Sequence, residues 1–250
     1  ATLVQGASFY DCDFTSARLG RARIVDTGFH RCQLIERQEL FLETEFEQVR
    51  FSECKLSEAL FIERDLARCS FRDCDVRQSN FIKCELTHAD FTGADLSGSN
   101  IVGTPVPGGI FDRAIMDNVR FIDEPALTDC SFRGAWMRGT NFRSADLAGA
   151  VFNQADLAGA DLTGADLTGA NFERAYAVGA QFYKAEFRDV DLTRADLREA
   201  SLMKARLQRA CFEGANLYSV SFLYSTLGET VFTGANLDNT LLQDWRPFRG

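Results

Sequence analysis

Few kinds of residue in this 250-residue chain could carry out chemistry: two histidines, eight cysteines and 36 acidic residues. With only His30 and His88, a catalytic histidine or a histidine-rich metal site has almost nothing to be built from. No two cysteines have the C-x-x-C spacing of zinc or redox sites, and Cys69 and Cys74, five apart, are the closest pair. Neither a nucleophile with its base nor an enclosed acid–base pair is recognisable. The sequence therefore predicts no catalytic residue, no metal site and no cofactor.

The acidic residues are the remaining candidates for a functional site. They outnumber Lys and Arg by 36 to 27, and the net charge of −9 opposes direct binding to nucleic-acid phosphates. Two trios repeat at intervals of twenty residues: Glu45, Asp65 and Glu85, then Asp146, Asp166 and Glu186. We interpret these six carboxylates as a candidate partner-binding surface. The alternative is a solvated face that only keeps the protein soluble.

Apolar residues give no sign of a membrane segment. The chain has no run of about 18 apolar residues, and its first residues lack the basic start and apolar stretch of a signal peptide. We therefore expect neither a membrane span nor a membrane partner.

The apolar residues instead recur every five positions, as in the run ADLAG ADLTG ADLTG. Large apolar residues, here called centres, occur in frame from Val4 to Leu34, from Phe46 to Phe121 and from Leu127 to Leu242, which makes 47 units. This period fits neither a helix face nor an ordinary alternating strand. It predicts a coil with corners, in which the centre and the small residue two places before it point inward and the residue between them points outward.

Glycines mark the predicted corners. Of the 19 glycines, 14 stand two places after a centre, where a tight turn needs a positive φ. Pro107 followed by Gly108 is a favoured pair for such a turn. Each unit is therefore predicted to be a short extended segment followed by a turn.

The A(D/N)LxG tandem units resemble those of the pentapeptide-repeat family over essentially the whole chain. The resemblance implies an all-β fold, a right-handed quadrilateral parallel β-helix (a solenoid) of about 12 coils with four pentapeptides each. Residues twenty apart then lie one above the other. We expect one interior column from Phe51 to Phe111 and another from Phe132 to Phe232.

Cysteines fit the same frame. Seven occupy the small inward position, and only Cys211 falls at an outward one. Cys12 with Cys32, and Cys54 with Cys74, would stack closely enough for disulfides, but parallel side chains make that geometry awkward and a cytoplasmic compartment would keep thiols reduced. We expect free thiols.

Two register breaks interrupt an otherwise single domain over residues 1–250. Two extra residues fall in 35–45 and one in 122–126, and both are expected to shift the faces and to bulge or kink the rod. Pro125 and Arg64 occupy inward small positions, which indicates local distortion there.

Residues 243–250, with Trp245 and Phe248, are expected to cap the last coil. Because the chain starts in frame without a cap, we expect it to be a module of a longer polypeptide.

Two functions remain open. The first is a non-enzymatic bacterial protein–protein interaction scaffold, a C-terminal module of a larger adaptor or effector that is linked to secretion. The second follows from the cysteine-bearing repeats, such as FYDCDF and FRDCDV, which resemble those of quinolone-resistance proteins: a DNA-mimicking protein that binds DNA gyrase. For both we expect a protein partner, a monomer or end-to-end dimer, and a bacterial cytoplasmic location or export with a larger assembly.

Overall fold

Each five-residue unit forms one side of a coil, because its extended segment is only about three residues long before the chain turns. The structure, a computed structural model, describes residues 2–15, 17, 19–34, 41 and 43–243. Within them the chain winds into a β-solenoid of about 11 turns. The segments that form strands are β1 (Leu3–Gln5), β2 (Ser8–Tyr10), β3 (Arg23–Val25), β4 (Gly28–His30), β5 (Glu45–Glu47), β6 (Arg50–Ser52), β7 (Leu60–Ile62), β8 (Ser70–Arg72), β9 (Asn80–Ile82), β10 (Asn100–Val102), β11 (Arg120–Ile122), β12 (Arg206–Gln208) and β13 (Thr226–Gly228).

All strand pairs are parallel and join successive coils. β6 pairs with β8 so that Phe51 lies beside Phe71, and isolated bridges such as Asp146 with Asp166 continue the ladders where strands are too short to assign. The described residues contain no helix, and hence none that could cross a membrane. These ladders confirm the predicted all-β parallel solenoid. Its right-handed sense stays a prediction.

The coil has four faces, which we call A, B, C and D in chain order. Face A carries the outward residues Glu45, Asp65, Glu85, Pro105, Ala126, Asp146, Asp166 and Glu186. Faces B, C and D have as their inward centres the columns that contain Phe71, Val76 and Phe81, respectively. Face C is thus opposite face A, and face D is opposite face B.

The core contains two facing columns of phenylalanine rings. On face B, rings stack from Phe9 to Phe172 and again from Phe212 to Phe232, with neighbouring centroids 4.4 to 5.3 Å apart. Rings on face D meet them edge to face, as Phe81 meets Phe91 at 5.9 Å. Such contacts are attractive beyond the apolar area they bury.

The prediction that Phe51–Phe111 and Phe132–Phe232 form two different columns was wrong. Phe111 stacks on Phe132 at 5.1 Å, so the rings before and after the second register break form one column. The ladder absorbs the extra residue by pairing Arg120 with Asn141, an offset of 21 instead of 20. The faces therefore continue across the break, because a corner can accommodate an added residue while the inward side chains keep their stacking partners.

The first break behaves in the same way. Ile24 pairs with Phe46 at an offset of 22, and Phe41 is buried and stacks on Phe61 at 5.5 Å. Phe41 is thus a core centre that the count of 47 units leaves out. The two extra residues of this break lie between Leu34 and Phe41, in residues 35–40, which are outside the described residues. The predicted cap also lies outside them from residue 244 onward, including Trp245 and Phe248.

The corners use a left-handed backbone conformation, as predicted. The 14 glycines placed two residues after a centre all have positive φ, between 53° and 70°. Many other corners place Asp, Glu, Arg or Lys at this position, as Asp73 does with φ of 54°. A non-glycine residue is less stable in this conformation, so the ladder and core must hold these corners in place.

The cysteines are free thiols, and six of the eight are buried in the core. Burial raises the pKa of Cys69 to about 11 and that of Cys130 to about 12. Cys12 and Cys211 are only half-buried. At Cys69 and Cys130 the small inward position therefore uses cysteine as a compact apolar side chain rather than as a reactive group.

One coil exchanges the sizes of two opposite centres. Ala177 is the centre on face C and Phe187 the centre on face A, and both are buried. In the coils on either side, the corresponding pairs are Leu157 with Leu167 and Leu197 with Leu207, again buried. Because opposite centres share the middle of the coil, the large ring fills the space that alanine leaves open.

We expect Ala177→Leu to destabilise the protein by about 1 to 3 kcal/mol, because the added side chain overpacks the core beside Phe187. Adding Phe187→Leu should recover stability, since the double variant restores the pairing of the adjacent coils. Urea unfolding of the two single variants and the double variant measures the coupling. Additive losses would contradict the size exchange.

Thiol reactivity should follow burial. At about pH 8 we expect iodoacetamide to modify Cys12 and Cys211 first and to modify Cys69 and Cys130 only after denaturation, because a raised pKa leaves little thiolate. Peptide mass spectrometry over a time course distinguishes the sites. Equal rates at all eight cysteines in the native protein would contradict the packing of the core.

Candidate partner-binding face

The outward residue of a unit holds the turn that follows it. The Oδ1 atom of Asp146 accepts a hydrogen bond from the backbone N of Ala148 at 3.2 Å. Asp166 Oδ1 accepts one from Thr168 N at 2.9 Å and another from Thr168 Oγ1 at 2.6 Å. Short polar side chains stabilise turns in this way, which explains why Asp and Asn recur at the outward position. One carboxylate oxygen therefore has a structural role.

The two predicted acidic trios lie on one face. Asp65 pairs with Glu85, and Asp146 pairs with Asp166, which pairs with Glu186. Pro105 and Ala126 join the trios into one column, since Leu86 N donates to Pro105 O at 3.0 Å and Val106 N donates to Ala126 O at 2.9 Å. Glu45 lies in line with Asp65, because Phe51 pairs with Phe71 in the next strands and Arg64 Nη1 donates to Thr44 O. The structure thus brings all six candidate residues into a single line along face A.

Arginines stand at both ends of this line. Arg23 Nε lies 3.8 Å from Glu45 Oε2, and its Nη2 lies 2.9 Å from Glu47 Oε2. At the other end, Arg206 Nη1 lies 3.6 Å from Glu186 Oε2. Between them, four carboxylates form no ion pair with any described residue: Asp65, Glu85, Asp146 and Asp166.

Face C shows the opposite arrangement. Four of its five outward carboxylates are neutralised by arginines: Asp75 and Asp95 by Arg77, Asp156 by Arg138 and Asp196 by Arg198. The fifth, Asp13, lies in the first coil and forms no ion pair with a described residue. The hydrogen bond from Arg77 holds the pKa of Asp75 below its ordinary value.

The difference between the faces comes from the residue that follows each centre. On face C, arginine takes this position in several units, close enough to reach an outward carboxylate. On face A, the corresponding residues beside the four unpaired carboxylates are Ala67, Thr87, Ala148 and Thr168. The residue type after each centre can be read from the sequence. Only the stacking of the coils shows which of the units lie on one face.

Irregular backbone also collects on face A. Arg64, predicted to distort the chain or reach solvent, is half-buried and donates from Nε to Ile62 O at 2.7 Å and from Nη1 to Thr44 O at 3.3 Å. Pro125 is buried, and its carbonyl accepts a hydrogen bond from Asp146 N at 2.9 Å. Before it, Asp123 and Glu124 are exposed with φ of 67° and 49°. Consecutive positive φ values at non-glycine residues mark the local bulge of the second break.

Neither histidine forms an ion pair with a described carboxylate of this column. His30 stacks on Tyr10 with ring centroids 4.8 Å apart, and His88 is exposed at a corner. In the part of the chain that the structure describes, no group of three or more His, Cys, Asp or Glu side chains is placed to hold a metal ion.

An apolar patch on face C was not predicted from the sequence. Ile115 and Trp136 pair across adjacent coils, and Trp136 is 56% exposed. The Arg138 guanidinium lies 6.0 Å from the Trp136 ring centroid and also pairs with Asp156. The sequence could have indicated this patch, because Ile115 and Trp136 occupy outward positions at which Asp or Asn is usual.

Solved structures with similarity to this chain include other pentapeptide-repeat proteins. HetL, a pentapeptide repeat protein involved in heterocyst differentiation regulation in the cyanobacterium Nostoc, is 20% identical over 98% of this chain and 91% of its own, with a TM-score of 0.32. A trypsin-treated form of QnrB1, a plasmid-mediated fluoroquinolone resistance protein, is 19% identical over 79% and 90%, with a TM-score of 0.45. A pentapeptide repeat protein from the Arabidopsis thaliana thylakoid lumen is 27% identical over 50% and 66%, with a TM-score of 0.26.

Family models give a direct assignment, although no curated protein sequence matches the chain. The model described as "Pentapeptide repeat region" matches residues 44–121. The model described as "Pentapeptide repeats (8 copies)" matches 127–164, 155–194 and 180–218. The stretch left between the two, 122–126, is the second register break. Since these matches cover more than half of the sequence, the chain belongs to the pentapeptide-repeat family.

Proposed function

We propose that this protein is a non-enzymatic interaction scaffold that binds a basic protein partner through the carboxylate column of face A. The pentapeptide-repeat fold fits a protein-interaction role, because a rigid solenoid presents side chains at fixed spacing. The observation that carries the proposal is the contrast between two faces of one rod. Four of the five outward carboxylates on face C have arginine partners, whereas four in the middle of face A have none among the described residues.

Unpaired carboxylates in register raise the electrostatic energy of the free protein. Adjacent coils are ~4.8 Å apart, so neighbouring charges repel by about 0.9 kcal/mol in a water-like dielectric before salt screening. Lysine or arginine side chains of a partner would relieve this repulsion. The same field would draw a basic partner in and raise the association rate.

The length of the column sets the size of the partner segment. From Glu45 to Glu186 there are seven coil steps, or ~34 Å. An extended segment of about ten residues spans this distance. A linear basic segment, or the basic edge of a domain, therefore fits the surface.

A narrower form of the proposal names DNA gyrase as the partner. It is supported by the resemblance of the cysteine-bearing repeats to those of quinolone-resistance proteins. The negative charge of face A also fits, since the surface of gyrase that binds DNA must be basic and would attract carboxylates. The other narrow form places the same face in an interaction module of a larger adaptor or effector. Supercoiling by gyrase in the presence of the protein distinguishes them, because only the first predicts a change in activity.

Replacing the four unpaired carboxylates by amides should weaken partner binding without unfolding the protein. The variant combines Asp65→Asn, Glu85→Gln, Asp146→Asn and Asp166→Asn, which keep an oxygen to accept the hydrogen bonds of the turns. With a lysine–serine peptide of about ten residues, we expect a loss of about tenfold or more in affinity, mainly in the association rate and smaller at high salt. Surface plasmon resonance at two salt concentrations measures both.

The matched control removes the same charge from the opposite face through Asp75→Asn, Asp95→Asn, Asp156→Asn and Asp196→Asn. It should retain most of the binding, because those carboxylates are already neutralised by arginines. Equal losses in the two variants would show that net charge, and not face A, attracts the peptide, and the proposal would then be wrong.

A further inference from the structure

Face A has an apolar interruption in the middle of its carboxylate column. Pro105 and Ala126 hold the two outward positions between Glu85 and Asp146, and Val102 and Ile122 hold the corner beside them. Ile122 is 37% exposed, and the other three are partly exposed. We call these four residues, Val102, Pro105, Ile122 and Ala126, the apolar window.

A stripe of branched apolar residues leads into the window. β7, β9, β10 and β11 pair in register so that Ile62, Ile82, Val102 and Ile122 follow one another along the corner between faces D and A. Ile62 is 37% exposed. The stripe runs beside Asp65, Glu85 and Pro105, because these outward residues of face A come three places after Ile62, Ile82 and Val102.

The fold does not require apolar side chains in the window. Coils on either side place Glu85 and Asp146 at the same outward position, so the ladder accepts acidic residues there. Proline is moreover a poor choice for a ladder position because it lacks an N–H to donate. An exposed apolar group that the scaffold does not need, bordered by charges, has the composition of an interface centre with a charged rim.

We propose that the apolar window binds apolar side chains of a linear partner segment whose lysines or arginines lie over the acidic residues on both sides. The inference rests on the proposed function, and it adds the order basic, apolar, basic to the partner's sequence. Glu85 and Asp146 are three coil steps apart, or ~14 Å. The two basic residues of an extended partner are therefore about four positions apart, with about three residues between them and one or two apolar side chains facing the window.

The surrounding charges favour the apolar window over the apolar patch on face C as a binding site. Ile115 and Trp136 are also exposed, but the carboxylates around them are paired with Arg77 and Arg138. The paired charges around the face C patch would therefore not attract a charged partner. Window residues lie between unpaired carboxylates, so a basic segment attracted to face A must pass over them.

Two peptides of about ten residues test the inference. Both carry lysines at each end, and the centre is Leu-Trp-Leu in one and Ser-Ser-Ser in the other. We expect the wild-type protein to bind the apolar-centred peptide about tenfold more tightly, as burial of one or two apolar side chains implies. Isothermal titration calorimetry measures both affinities at one salt concentration.

The window is tested by extending the acidic column through it. Pro105→Asp with Ala126→Asp introduces the residue that this repeat favours at its outward position, and it should bind the two peptides with nearly equal affinity. Ile122→Thr keeps a branched strand residue and provides a second, milder variant with a reduced preference. The control, Ile115→Asp with Trp136→Asp on face C, should retain the full preference. Circular dichroism confirms that each variant is folded.

The outcomes separate the two proposals. Equal affinity of the wild type for both peptides would overturn the apolar window while leaving the basic-partner proposal in place. A preference that survives both window variants would also overturn it. If amide substitution of the four carboxylates weakens neither peptide, the proposed function itself is wrong.

Discussion

The parallel ladder between successive coils is the interaction on which the rest of this structure depends. It fixes the spacing along the rod and gives residues about twenty apart the same environment. Inward positions must therefore repeat in size, as the stacked rings from Phe9 to Phe172 do. Where one centre is unusually small, as Ala177 is, the larger side chain of the opposite centre, Phe187, fills the space.

The ladder places few limits on residue type at the outward positions, because their side chains contribute to the turns but not to the core. Either Asp or Asn satisfies the turn, so the charges around it can differ between faces. Arginines neutralise four of the five outward carboxylates on face C, whereas face A leaves four without a cation among the described residues. This division gives one side of a uniform scaffold a distinct electrostatic character.

Several departures from the repeat lie on that side. Arg64, Pro105 and Pro125 all lie on face A, and the bulge at Asp123 and Glu124 adjoins it. Each costs some regularity in the ladder or the backbone, and the stacked core of the other faces tolerates this. Regular faces thus support an irregular one.

The sequence alone determined the period, the inward and outward positions, the corner glycines and the two places where the register changes, because these depend on local spacing. It did not determine how the insertions are absorbed. A corner can take up an extra residue without moving the core, so Phe111 stacks on Phe132 and the two acidic trios fall in one line. Phe41 lies five residues before Phe46 and so belongs to the second run of centres, but the residue two places before it is Glu39 rather than a small one, and the count began at Phe46. The pairing of Arg138 with Asp156, 18 residues away, and the isolation of Asp65 and Asp166 depend on which side chains adjacent coils bring together. Only the tertiary structure decided these relations.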